Sequence, residues 1–103
     1  MSKMVEYQVN TVKDYKLMPG FWVNVKTNLQ VAEGDSVVSV KPDHNLCVIK
    51  PFAVMSTKVD DDGTVNVLVY NLSRTESMIL ESEVFGTVVV LGNWLIDLKK
   101  RRI

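Results

Sequence analysis

The 103-residue chain has one cysteine, Cys47, so no disulfide can form within it and oxidative stapling does not hold the fold. It has one histidine, three prolines and five glycines. That is too little of each for a His-rich metal tract, a proline-rich linker or a glycine-rich low-complexity segment. Neither sign of charge is in excess: twelve Lys and Arg balance twelve Asp and Glu. A neutral chain lacks the basic field that nucleic-acid backbones require, so a nucleic-acid partner is not expected. No apolar run reaches the roughly 20 residues of a membrane span, and no membrane partner is expected. Residues 1–12 are broken by Lys3, Glu6, Gln8 and Asn10 and do not read as a signal peptide. The expectation is a soluble, intracellular protein.

What the chain does have is a core's worth of apolar residues, 47%, which is too many for a disordered segment. Its length suits one domain, residues 1–103. The stretch Asp60 to Leu91 organises the rest. Asp62-Gly63 is a strong hairpin signal, because glycine takes a positive φ without a Cβ clash. After it Val65, Val67 and Val69 alternate with Asn66, Leu68 and Tyr70. Both sets are largely apolar, which predicts a central strand covered on both faces. A β-branched run, Thr87 to Val90, closes the stretch, and Gly92-Asn93 is read as its end.

Upstream, Met4 to Val12 fits a strand better than a helix because it is β-branched. Pro19-Gly20 is a turn. Phe21 to Thr27 alternates, with Phe21, Val23 and Val25 on one side and Trp22, Asn24 and Lys26 on the other. Further strands are expected at Ser36 to Lys41, Leu46 to Ile49 (ended by Pro51), Phe52 to Val59, Met78 to Leu80 and Trp94 to Leu98. Ser73 and Glu76 have capping-box spacing, but the run behind them is short, and a loop leading into a strand is the better reading. Short strands separated by turns predict an all-β fold, a small antiparallel barrel or sandwich, dUTPase-like or jelly-roll-like in outline.

No pattern for catalysis stands out. His44 and Cys47 are three apart, but a metal site needs three or four ligands and a thiol nucleophile needs a neighbour that lowers its pKa. They read as a loop histidine beside a small buried residue. Asp60, Asp61 and Asp62 lack the alternate-position spacing of a calcium loop and read as a solvated turn. Glu76, Glu81 and Glu83 form no acid/base pair by spacing. No catalytic residue, cofactor or metal is therefore assigned. The exposed-looking aromatics are more pointed. Trp22, with Lys26 on the same strand face, and Trp94 are the candidate interaction residues, since tryptophan is enriched in binding hot spots. Partial burial of Trp22 under a loop is the alternative. Lys99 to Arg102 reads as a solvated basic end.

The stretch Val65 to Leu91 resembles the end of a dUTPase-like β-barrel. Asn71-Leu72-Ser73 matches that family's strand end and loop, and Met78-Ile79-Leu80 its next strand. Ser82 to Thr87 sits at its glycine motif before the last core strand. The stretch is also similar to the β segment after the protease in gypsy-type retrotransposon polyproteins. The resemblance implies a trimeric barrel. The family's phosphate-binding Arg-Ser-Gly has no counterpart, since Val38 to Pro42 lacks both arginine and glycine. Its catalytic aspartate context is missing around Asp60. The expectation is a non-enzymatic assembly or protein-interaction module, a homo-oligomer with a trimer favoured, and a viral, phage or mobile-element accessory or structural protein. A diverged dUTPase-like nucleotide-binding domain is the alternative.

Overall fold

A computed structural model describes residues 2–93. Trp94, the strand expected at Trp94 to Leu98 and the basic end lie outside the described residues. The elements run β1 (Ser2–Asn10), β2 (Tyr15–Leu17), β3 (Trp22–Gln30), β4 (Ser36–Pro42), α1 (His44–Ile49), β5 (Phe52–Val59), β6 (Thr64–Asn71), β7 (Ser77–Ile79) and β8 (Val84–Asn93). Two three-stranded antiparallel sheets, β1-β8-β4 and β3-β6-β5, enclose the core, and a small β2-β7 ribbon completes the fold. The protein is all-β, as expected.

The turn at Asp60 to Gly63 joins β5 to β6. Its geometry explains its residues. The Gly63 N–H donates to the Asp60 carbonyl at 2.9 Å, and Asp62 Oδ1 accepts the Thr64 N–H at 2.9 Å. Gly63 has φ +89°, and a Cβ there would stand 2.5 Å from the Val31 carbonyl oxygen. β6 is central in its sheet, and Val65, Val67 and Val69 are fully buried. Val88 and Val90 of β8 face them across the core, with Phe52 stacked on Phe85 at 5.3 Å. The second face of β6 differs from expectation. Leu68 and Tyr70 are half-buried, and Asn66 is buried with its amide bonded to Asn24 Nδ2 and the Thr64 carbonyl. Flanking side chains of β3 and β5 shelter this face.

Leu46 to Ile49 is helix, not strand. Asp43 is the reason: its carboxylate accepts the Leu46 N–H at 3.0 Å and caps the first turn. Its own N–H is fixed by the Phe85 carbonyl. In a helix four consecutive apolar residues cannot share a face, so Leu46 is buried while Val48 and Ile49 stand in solvent. Phe21 lies just before β3 and is exposed, not beside Val23 and Val25 in the core. β8 runs on through Gly92-Asn93.

Candidate interaction surface

β6 runs from the acidic turn at its start to Asn71 at its end, and exposed apolar residues gather near the Asn71 end. There Trp22 pairs with Tyr70, their rings edge to face at 5.5 Å. Pro19 bridges Asn71, and the Leu72 N–H donates to the Pro51 carbonyl at 3.0 Å. These links bring the turn before β3, the loop after β6 and the end of α1 side by side. The large apolar residues they carry are exposed: Phe21 65%, Trp22 51%, Val48 67%, Ile49 77% and Leu72 59%. Single exposed apolar residues are ordinary on a surface, whereas several on adjoining backbone are less so.

The platform beneath is rigid. Asn71 is buried, and its Nδ2 donates to the Leu17 and Thr75 carbonyls at 2.9 Å each. Its Oδ1 accepts from the Ser73 N–H and hydroxyl. One side chain thus ties β2 and both ends of the 71–75 loop. Lys50, which caps α1, forms a 2.6 Å ion pair with Glu83. Burial works against ionisation of Glu83, but bonds from Lys50 and the Leu80 N–H, with the lysine charge, hold its carboxyl below the ordinary range. Two ion pairs lie near the apolar end, Lys50 with Glu83 and Lys16 with Glu76, while Arg74 in the 71–75 loop is exposed and belongs to neither.

The expected interaction residues separate. Trp22 points outward and belongs to this end. Lys26 also points outward, but four residues along β3, where its Nζ meets Asp60 at 3.6 Å beside the acidic turn. Trp94 lies outside the described residues. Phe21, Val48, Ile49 and Leu72 were not anticipated. An N-cap reading of Asp43 would have exposed Val48 and Ile49, but no periodicity marks Leu72.

The chemistry-bearing residues are scattered. His44 is exposed on the first turn of α1, while Cys47 is half-buried with its Sγ 3.8 Å from the Phe52 carbonyl. Burial pushes the Cys47 thiol up and the nearby Asp43 charge adds to this, against the Phe52 contact. A thiol so placed is a poor nucleophile. At the acidic end an open cleft of about 690 Å³ has Val31, Val37 and Val59 in its wall and Glu33, Asp60 and Asp61 among its lining. Its field repels phosphate. Among the described residues no three His, Cys, Asp or Glu side chains converge as a metal site, and no helix is long and apolar enough to cross a membrane. No protein-family model matches the chain, and no curated protein matches it.

Proposed function

We propose that this chain is a non-enzymatic assembly module that self-associates through its apolar end. The observation that carries the reading is the exposure of Phe21, Trp22, Val48, Ile49 and Leu72 on segments joined by the Pro19–Asn71 bridge and the Leu72–Pro51 hydrogen bond. A second copy is the occupant that the charge distribution suits. The chain is neutral overall, so copies do not repel at long range. The acids of the β5–β6 turn lie at the other end of β6, so a contact between apolar ends keeps the acidic turns of the two copies apart. An accessory or structural role in a virus, phage or mobile element accords with such a module, as does a homo-oligomer.

Sedimentation equilibrium over a hundredfold concentration range tests the reading, comparing the wild type with the double variant Phe21→Ser, Ile49→Ser. Loss of association of at least tenfold in the variant, with an unchanged far-ultraviolet circular dichroism spectrum, is the expected result. A wild-type monomer throughout, or a variant that associates as strongly, overturns it.

A further inference from the structure

The two sheets have four edge strands, and three are guarded. β3 is covered along its middle: the Lys26 carbonyl accepts the Val12 N–H and the Lys26 N–H donates to the Tyr15 hydroxyl, both at 3.0 Å. β4 and β5 are each interrupted by a bulge, at Val37/Ser39 and Val54/Ser56. β4 also ends in Pro42. Such devices stop a strand from templating another. β1 has none of them between Ser2 and Val9; its register shift and its pairing with β3 come only at Asn10 and beyond. It pairs residue for residue with β8 from Ser2↔Asn93 to Val9↔Gly86, without proline or bulge, and among the described residues no strand pairs with the other side of this stretch.

The outward main-chain groups of β1 can be assigned. Asn10 N–H points away from β8, because it donates to Asn28 Oδ1 at 3.1 Å. Main-chain groups alternate along a strand, so those of Gln8, Glu6 and Met4 point the same way. Their side chains are exposed too.

We infer that β1 is a dimer seam: it pairs antiparallel with β1 of a second copy about a two-fold axis through Val5, making a continuous six-stranded sheet. The register follows from the residues. A two-fold perpendicular to the sheet keeps side-chain faces, so residues pair even with even and odd with odd. Centring on Glu6 sets two carboxylates opposite each other, which is unfavourable. Centring on Tyr7 displaces the Asn10–Asn28 bond. Centring on Met4 shortens the overlap. Centring on Val5 pairs Ser2 with Gln8 and Met4 with Glu6 through their outward main-chain groups. It also sets Lys3 opposite Tyr7, ammonium near ring, on the other face. The seam lies on a different sheet from the apolar end and stands without it.

The test reads the two contacts separately. Glu6→Pro removes an outward N–H and leaves the ladder to β8 intact, so the fold is retained. Introduced into the Phe21→Ser, Ile49→Ser variant, it should turn a dimer into a monomer in sedimentation velocity, with the denaturation midpoint held. Independently, in a Cys47→Ser background, Val5→Cys should cross-link to a disulfide dimer at least tenfold faster than Met4→Cys. Val5 meets its own copy in a non-hydrogen-bonded pair, where Cα atoms stand about 4.5 Å apart, within disulfide range. A dimer that persists with Glu6→Pro, or equal cross-linking at the two positions, overturns the seam. A double variant that is already monomeric overturns it as well.

Discussion

Gly86 shows what a single missing methyl group permits. Its φ is not positive, so the left-handed freedom of glycine is not what the site uses. A Cβ there would collide with the Lys41 carbonyl oxygen and come within 3.2 Å of Pro42 Cα. Glycine lets β4 close onto β8 beside the register shift at Val9/Asn10, where Phe85 turns into the core. Of the two reasons a strand glycine suggests, a bulge with positive φ or a close backbone approach, the second applies. Gly86→Val should cost about 3 kcal/mol, the upper part of the range for overpacking, because the obstacle is backbone and cannot rotate away. Urea denaturation measures it, and an unchanged midpoint would show that β4 moves aside freely.

Among the elements, α1 depends most on its ends. Asp43 caps the start, and Lys50 at the other end clasps Glu83 in the β7–β8 connection. Glu83 has a folded pKa below its unfolded value of about 4.3. The stability it contributes is therefore present above about pH 4.3 and is lost as pH falls through the lower folded pKa. Glu83→Gln should flatten the acid limb of stability in that window and leave the slope near neutrality unchanged, as read from denaturation midpoints at stepped pH. A limb of equal steepness in the variant would place the acid sensitivity elsewhere. The strands were legible because alternation is local: parity put Val67, Val69, Val88 and Val90 inside and Trp22 on the face opposite Val23 and Val25, which proves to be the exposed one. α1 was not legible. Six residues give too few turns for a 3.6-residue period to show, and the β-branched Val48 and Ile49 argued for strand. β2 is three residues long, and its pairing with β7 is set by tertiary contact. With α1 misread, two of the five exposed apolar residues could not be placed, and Leu72 sits in a loop where no pattern reports exposure.

At the scale of the whole molecule, the acidic cluster and the exposed aromatic residues lie at opposite ends of β6. Asp60, Asp61, Asp62 and Glu33 gather around the open cleft, while the far end exposes Phe21, Trp22 and Leu72 with two ion pairs and Arg74 nearby. An end-to-end contact made by the apolar end should be almost indifferent to salt. Between about 0.1 M and 1 M sodium chloride, where the Debye length falls from about 10 to about 3 Å, its association constant should change less than threefold. Sulfate should strengthen it. Sedimentation equilibrium at the two salt concentrations decides, and a tenfold weakening would assign the contact to the charged end instead. An apolar-end contact and a β1 seam lie on different surfaces. If each is two-fold, their combination propagates rather than closing at a dimer.

Asn71-Leu72-Ser73 has another property. It spells the acceptor sequence for an N-linked glycan. In the folded molecule both amide protons of Asn71 are held by the Leu17 and Thr75 carbonyls, and the Ser73 hydroxyl is bound to the same side chain. A transferase could reach Asn71 only before this network closes, and a sugar once attached would keep it from closing. Routed through a secretory pathway, the chain would face a race between folding and modification for one side chain, and each outcome would foreclose the other.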